Sequence, residues 1–342
     1  MALPPERRRH LQELGLRALV KRRFGAEAAD GARPVHFNGG AAVVAGTVAA
    51  VFADSTRALG SAIDLAGRQG AEELFFFCEH NTGATARRAG EFRLRVSVID
   101  PDGDFAPLEP EPADPVEAVP ADLDPAAGRM RSAGLDVAWE HGVLRGEWLG
   151  LEVARAFTTA DGPVFEVGVG KHDRAANDEL YPGGAPDAFL DQTVARVREL
   201  RRVPAPPHPA NQLAPERWLR SVARRHPGLV GVGELRTGPT PTERPDLRQR
   251  AVAPAWADGG GAPSVVVFSA GVDPDLVAQA ADARVQAPGW LDFPGGPPEA
   301  CPLVIVVPEG DAHPLTQRLV DALRRPARVQ TVPGDWRSLD GS

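Results

Sequence analysis

The sequence predicts an α/β protein in which N- and C-terminal parallel βα segments flank a middle region of β-meander and helices. Two observations support this fold class. Apolar runs of strand length alternate with amphipathic helical stretches toward both ends of the chain, whereas apolar and polar residues alternate around glycines near its centre. Because strands separated by helices join through right-handed crossovers, both ends are expected to contain parallel strands.

The first 100 residues are predicted to contain a basic helix and an α/β segment. Residues 1–25 form the basic amphipathic helix, and the segment 26–100 begins with the apolar run 41–53. At 13 residues this run is too short to cross a membrane and indicates a buried strand or helix. A helix, the buried strand 73–78, a second helix and the alternating strand 93–100 follow.

An acidic linker is predicted to separate this segment from the middle region. Residues 100–124 contain nine Asp or Glu, no Lys or Arg, and many prolines, so they bury little apolar surface. The range 101–133 is therefore expected to be an extended linker. After it, the range 134–226 is predicted to hold an antiparallel meander and two helices with many arginines.

The last third repeats the alternation of strands and helices. The segment 227–333 contains predicted strands at 263–269, 302–308 and 327–332 with helices between them, and residues 334–342 form a tail. Polar residues that follow predicted strands lie at carboxyl edges, where α/β folds place ligands. These candidates, which capping and turn roles explain equally well, are Glu79, His80, Asn81, Ser269, Asp273, Glu309, Asp311 and His313.

Composition restricts the class of protein. The net charge of −8 argues against a general nucleic-acid coat protein, because phosphate binding needs a basic surface. Cys78 and Cys301 form no CxxC motif, which favours a reducing cytoplasm, and the N-terminus lacks the apolar core of a secretory signal. With 36 Arg and only two Lys, the chain resembles proteins from high-GC actinobacteria, so its arginine count alone carries little information.

The segment around Glu166 carries the strongest chemical pattern. In "GEWLGLEVARAFTTADGPVFEVGVGK" an acidic strand is followed, after a turn, by a second strand with Glu166. This pattern, over residues 140–202, resembles the PD-(D/E)XK nuclease family, whose hairpin holds two carboxylates on a divalent ion beside a lysine that assists water. The resemblance implies Mg²⁺ bound by Glu152 and Glu166, which would activate a water and stabilise developing charge.

The lysine position departs from the family's pattern. The family places lysine two residues after the second acid, where this chain has Gly168. Lys171 has the opposite strand parity to Glu166, and a β-bulge at one of the glycines would bring both to one face. His172 shares the parity of Glu166 without a bulge, so Glu152, Glu166 and His172 form an equally coherent metal site.

Three interpretations of this segment remain open. A phosphate-binding loop requires Ser or Thr after GK, where this chain has His172. A metal-dependent phosphodiesterase, active or degenerate, would use the catalytic candidates Glu152, Glu166, Lys171 and His172. A structural turn would instead use the glycines for close packing and the following residues for internal hydrogen bonds. Further polar residues on the same meander are Glu140, His141 and Glu147.

The sequence thus leaves two functions and the question of enzyme activity open. One is a divalent-metal-dependent, nuclease-like phosphodiesterase, and the other is a non-catalytic scaffold that binds nucleic acid or an acidic protein. The second would use the basic helices between Arg196 and Arg225, although a solvated basic face is an equally simple interpretation. No nucleotide cofactor is indicated, since no GxGxxG follows a predicted strand.

Overall fold

The chain divides into two compact units. The computed structural model describes residues 5–80, 82–100, 106–113, 118–181, 186–204, 207–241, 251–258, 263–294 and 296–340. The first unit comprises residues 1–113, 274–282 and 313–327, and the second comprises 114–273, 283–312 and 328–342.

The N-terminal elements form one sheet with helices. In chain order they are α1 (Pro5–Phe24), α2 (Ala26–Asp30), β1 (Arg33–Val35), β2 (Gly40–Ala45), β3 (Val48–Ala53), α3 (Leu59–Arg68), β4 (Glu73–Cys78), α4 (Gly83–Gly90) and β5 (Arg95–Ile99). The strands lie in the order β1-β2-β3-β4-β5, with β3, β4 and β5 parallel and β1, β2 and β3 antiparallel. The apolar run 41–53 is an antiparallel hairpin, because Gly46 turns the chain with a φ of +58°.

The middle elements form a four-stranded meander with helices. In chain order they are α5 (Asp124–Ser132), β6 (Asp136–Glu140), β7 (Val143–Trp148), β8 (Leu151–Thr159), β9 (Gly162–Val167), α6 (Gly170–Leu180), α7 (Asp187–Leu200) and α8 (Pro215–Arg225). The strands lie in the order β6-β7-β8-β9, and every neighbouring pair is antiparallel. This sheet is called the meander sheet below.

Helix α5 corrects the range predicted as linker. The chain leaves the first unit at Ala113, inside the range 101–133, but the last nine residues before Ala133 are helical. Pro125 stands in the first turn, where a missing N–H costs nothing. Leu123, Ala127 and Met130 are buried in the core under the meander sheet, which gives this part of the acidic stretch the apolar burial that it needs to be ordered.

The C-terminal elements form a third sheet. They are β10 (Leu235–Thr237), β11 (Ala253–Ala257), β12 (Ser264–Phe268), α9 (Leu276–Gln286), β13 (Leu303–Pro308), α10 (Pro314–Asp321) and β14 (Ala327–Val332). The strands lie in the order β10-β11-β12-β13-β14, called the C-terminal sheet, and β12 and β13 are parallel. The α/β class is confirmed, and the N- and C-terminal segments build separate sheets. None of the described helices is long and apolar enough to cross a membrane.

Candidate functional site

The meander sheet has one apolar face and one charged face. Helices α5 and α7 cover the apolar face, where Met130, Leu144, Val153, Ala154 and Val194 belong to one buried cluster. Charged side chains from all four strands project from the other face, as their hydrogen bonds and ion pairs with α6 and α8 show. Strand alternation alone explains this division for β6 and β7.

A β-bulge in β8 places Glu152 on the charged face. Gly146 of β7 pairs with Ala154 and the next residue, Glu147, pairs with Glu152, so Val153 is the extra residue. Val153 and Ala154 both lie in the apolar cluster, which reverses the parity of the residues before them. Glu152 therefore shares a face with Arg155. This bulge in β8 repositions Glu152 and is distinct from the bulge at Gly168 or Gly170 that would bring Lys171 to the face of Glu166.

The charged face carries an arginine–glutamate network of four carboxylates and five guanidinium groups. Its members are Glu140, Arg145, Glu147, Glu152, Arg155, Glu166, Arg174, Arg217 and Arg220. Arg217 of α8 donates to Glu147 and, at 2.6 Å, to Oε2 of Glu140. Arg220 donates to Glu147 at 3.2 Å and to the carbonyl oxygens of Gly238 and Pro254.

Burial makes this part of the network strongly coupled. Glu140 is 1% exposed, Glu147 4% and Arg220 2%. Burial by itself would raise the pKa of Glu147, but the charges of Arg217 and Arg220 outweigh it and lower that pKa to about 2. The pKa of Glu140 is lowered for the same reasons. Both carboxylates are consequently ionised, and each depends on α8 for its neutralisation.

The network predicts a stability loss in acid. Because the pKa of Glu147 falls from 4.5 to about 2 on folding, its stabilising contribution is complete above pH 4.5 and disappears as the pH falls toward 2. The free energy of unfolding, measured by urea titration across that interval, is expected to decline. In Glu147→Gln, which is less stable at neutral pH, the decline should be smaller. An equal decline in both proteins would contradict this assignment.

The two carboxylates of the nuclease resemblance converge on an arginine. Arg174 of α6 donates through Nη1 to Oε1 of Glu152 at 3.0 Å, and its Nε lies 3.4 Å from Oε2 of Glu166. Arg145 also donates to Glu152, and Arg155 donates to Glu166 at 2.5 Å. The resemblance implied that both carboxylates bind a divalent ion. In the structure both interact with guanidinium groups instead.

Lys171 and His172 differ from those carboxylates in their exposure to solvent. Both are exposed in the first turn of α6, whereas Glu152 is 6% exposed. Residues 170–180, for which the sequence left a loop, a continued strand and a turn open, form a helix, which starts at Gly170 because Gly168, with a φ of +142°, lets the chain leave β9. A Cβ on Gly168 would lie 3.0 Å from the backbone nitrogen of Arg174, so the family's lysine does not fit at this position.

These side chains as placed do not form a metal site. Within the described part of the chain, no group of three or more His, Cys, Asp or Glu side chains is arranged to hold a metal ion. The carboxylate oxygens that would bind Mg²⁺ accept hydrogen bonds from guanidinium groups instead. We therefore derive no catalytic step through a metal.

A second cluster of arginines lines a cavity near the C-terminal ends of α7 and α8. The cavity has a volume of about 590 Å³. The residues that line this arginine–tryptophan pocket are Trp148, Leu149, Arg198, Arg201, Arg202, Val203, Pro204, Trp218, Arg225 and Arg337. Five of these ten residues are arginines and none is acidic.

Arg201 is the buried cation of this pocket. It is 1% exposed, and it donates to the carbonyl oxygens of Leu149, Ala210, Leu213 and Ala214. Burial lowers the pKa of Arg201 to about 9, although Glu216 and Glu147 oppose that shift. The fold thus satisfies the N–H groups of Arg201 with neutral oxygens and leaves its charge poorly compensated.

Indole rings pack against the guanidinium groups of the pocket. Arg198 lies 4.2 Å from the ring centroid of Trp148, and Arg201 lies 4.5 Å from that of Trp218. Burial also lowers the pKa of Arg337, which packs on Trp218 at 5.4 Å. Three buried donors of the lining residues have no hydrogen-bond partner among the described residues, namely Nε1 of Trp148, Nε1 of Trp218 and Nε of Arg337.

Comparisons with known proteins assign no family. No family model matches the sequence, and neither a curated protein nor a solved structure matches it.

The remaining predicted site residues have varied surroundings. Glu79 and His80 are exposed after β4, and Asn81 lies outside the described residues. Asp311 accepts a hydrogen bond from the backbone N–H of Gly271 at 2.6 Å, and His313 caps α10 by accepting from that of Leu315. His141 is exposed, and its Nε2 lies 3.0 Å from the carbonyl oxygen of Thr240. The other residues at the predicted C-terminal edge are Ser269 and Asp273, both buried, and Glu309, exposed.

Sequence reasoning named the basic helices between Arg196 and Arg225, but it missed Arg174 and it missed that Arg217 and Arg220 are buried and paired with carboxylates. Arg174, Arg217 and Arg220 were hidden among 36 arginines in a chain whose composition favours this residue. A usable signal is the spacing of Arg217 and Arg220, three residues apart, which places both on one face of a helix beside apolar Trp218 and Leu219.

Proposed function

We propose that this chain is a non-catalytic protein that binds single-stranded nucleic acid through the arginine–tryptophan pocket. The observation that carries the proposal is the set of five arginine side chains in one cavity without an acidic lining residue. A guanidinium group is charged at every physiological pH and binds phosphate oxygens through two parallel N–H groups. A phosphodiester would compensate the charge that the fold leaves on Arg201 and Arg337.

The pocket's depth separates its arginines into two roles. Arg201 is fixed at the base by its carbonyl partners, while Arg198 and Arg202 are exposed and accessible to a ligand. Val203, 37% exposed, and Pro204 add an apolar edge to the same cavity. An incoming strand would thus meet the exposed arginines first and a preorganised positive potential below them.

Aromatic residues favour a nucleic-acid strand over a simple anion. Bases stack on aromatic rings and on guanidinium planes, and single-strand binding proteins combine such surfaces with a basic groove. Here Trp148 is half-buried beneath Arg198 and Arg225, at 4.2 and 5.2 Å from its ring centroid. Because the chain as a whole is acidic, this contact would be local rather than a coat along the strand.

The arginine–glutamate network supports the absence of catalysis in this proposal. Its carboxylates neutralise arginines from α6 and α8, so Glu152 and Glu166 have a structural role, while Lys171 and His172 are exposed and make none of these contacts. The chain would then keep the strand arrangement that resembles the nuclease family without its reaction.

A fluorescence-anisotropy titration with a labelled single-stranded oligonucleotide tests the proposal. The double variant Arg198→Gln/Arg202→Gln is expected to weaken binding by at least about tenfold and to reduce the slope of log affinity against log salt by about 1.4, because each lost phosphate contact removes about 0.7. The matched control Arg196→Gln lies on the same helix, pairs with Glu199 on the surface and does not line the pocket, so it should bind like the wild type.

Competing ligands distinguish the chemical class. Inorganic phosphate and polyglutamate are each added to the complex at equal charge concentration. If either displaces the oligonucleotide, the pocket binds simple anions or acidic proteins, which would contradict the proposal. An affinity that does not change with salt, or equal losses in Arg196→Gln and the double variant, would also contradict it.

A further inference from the structure

A cavity separate from the arginine–tryptophan pocket lies along two strand edges of the second unit. Its volume is about 530 Å³, within the range of natural ligand sites. Among its lining residues are five consecutive residues of one strand and turn, 137–141, and four consecutive residues of another, 234–237. This cavity is called the edge groove below.

The run of consecutive residues shows that the groove follows backbone edges. Successive side chains of a strand point to opposite faces, so a cavity that touches every residue from 137 to 141 borders the edge of β6 and not one of its faces. The same argument applies to β10. In the described part of the chain, β6 pairs with β7 alone and β10 with β11 alone, so both are outermost strands.

Two facing edges present backbone donors and acceptors that lack sheet partners. An extended peptide is the ligand whose own backbone complements such an edge, and strand addition is a recurrent mode of peptide recognition. The groove has such a strand edge on two of its walls. Small ligands gain nothing from a row of backbone groups with strand spacing, whereas a peptide uses several of them at once.

The unmet charge of the groove is negative. Arg224 lies 3.4 Å from Asp136, and Arg236 donates to Glu234 at 3.1 Å, so both lining cations have acidic neighbours. Asp292 is exposed at the groove, whereas the buried Glu140 already pairs with Arg217 and Arg145. A basic side chain of the ligand would match the carboxylate of Asp292.

Aromatic side chains hold the far wall of the groove in place. Trp256 and Trp290, 2% and 6% exposed, both pack edge-on against Phe293 at centroid distances of 5.7 and 6.1 Å. The ring of Trp290 also packs closely on Gly238, where a Cβ would lie 2.6 Å from ring carbons. Arg236 lies over the ring of Trp256, 5.1 Å from its centroid, so the indoles form a rigid wall of the groove.

We propose that the edge groove binds an extended segment of a partner protein that carries a Lys or Arg side chain, with its backbone added to the edges of β6 and β10. The main chain of the segment supplies the register, and the basic side chain lies toward Asp292. This site does not depend on the nucleic-acid function, because it uses none of the residues of the arginine–tryptophan pocket.

Calorimetry and tryptophan fluorescence with synthetic pentapeptides test the proposal. The probes are a blocked peptide of alternating Val and Arg, the same peptide with alternate backbone nitrogens methylated, and an analogue with Glu in place of Arg. The basic peptide should bind the full chain, and methylation should weaken it by about tenfold because ladder hydrogen bonds are lost. The Glu analogue should bind more weakly still.

A conservative variant tests the charge. Asp292 has a φ of 59°, which asparagine tolerates, so Asp292→Asn should fold normally and weaken the basic peptide by about threefold. The control Asp191→Asn removes an exposed charge on α7 and should have no effect. The proposal is overturned if no basic peptide binds at millimolar concentration, if methylation has no effect, or if a methyl glycoside binds in preference to every peptide.

Discussion

Arg217→Met is expected to lower the free energy of unfolding by about 3–5 kcal/mol, because it leaves two buried carboxylates without their main counter-charge. Arg217 is 6% exposed and donates to both Glu140 and Glu147. Methionine keeps much of the packing volume, so the loss would reflect charge rather than a cavity. Urea unfolding at neutral pH measures the change.

The same helix provides the control. Arg224→Met removes an arginine whose side chain is 31% exposed and whose carboxylate partner, Asp136, is 35% exposed. Partly solvated pairs of this kind contribute little, so the loss should stay below about 1 kcal/mol. Equal losses in the two variants would show that burial does not increase the contribution of Arg217 to the free energy of unfolding. At pH values low enough to protonate Glu140 and Glu147, the cost of Arg217→Met should shrink, since the carboxylates no longer need a counter-charge.

Gly150→Ala is expected to destabilise the chain by about 3 kcal/mol through two additive causes. Leu149 and Gly150 form a two-residue hairpin turn between β7 and β8, with φ values of 49° and 73°. A Cβ on Gly150 would lie 2.3 Å from the backbone carbonyl carbon of Arg217, so α8 would have to move. That movement would also disturb the hydrogen bonds of the arginine–glutamate network.

The preceding turn separates the two causes. His141 and Gly142 form the same kind of turn between β6 and β7, with a φ of 72° at Gly142, but a Cβ there would have no neighbour within 4 Å. Gly142→Ala should therefore cost only the backbone strain, about 1 kcal/mol. Thermal unfolding of both variants measures the difference, and equal shifts in Tm would contradict the close approach of α8 to Gly150.

Much of the fold could be predicted because local pattern and final burial agree. The run ELFFFC is β4 from Glu73 to Cys78, and the second of the two arginine-rich helices predicted within 134–226 is α8. Such segments are predictable from composition, since a short apolar run rich in aromatic residues and bounded by polar residues is typical of a strand buried on both faces of a sheet. Helix α5 was missed because its acidic, proline-rich surroundings outweighed the few apolar residues that dock it.

The chemistry of the site was less predictable, because it depends on contacts between distant residues. The parity of Glu152 depends on the bulge at Val153, which no local signal such as glycine marks. Arg174 reaches Glu152 because α6 begins at Gly170, where sequence alone favoured a turn or continued strand. The pocket of arginines joins α7, α8 and a segment beyond residue 330, which spacing along the chain does not bring together.

The most direct test of the account is where a bound strand touches the chain. A single-stranded oligonucleotide that contains 5-bromouracil is irradiated with the protein, and mass spectrometry locates the crosslinked residue. The account predicts crosslinks at Trp148 or within residues 198–204, and their loss in Arg198→Gln/Arg202→Gln but not in Arg196→Gln. Crosslinks confined to residues outside the arginine–tryptophan pocket, or Mg²⁺-dependent cleavage of the oligonucleotide that Glu166→Ala abolishes, would contradict it.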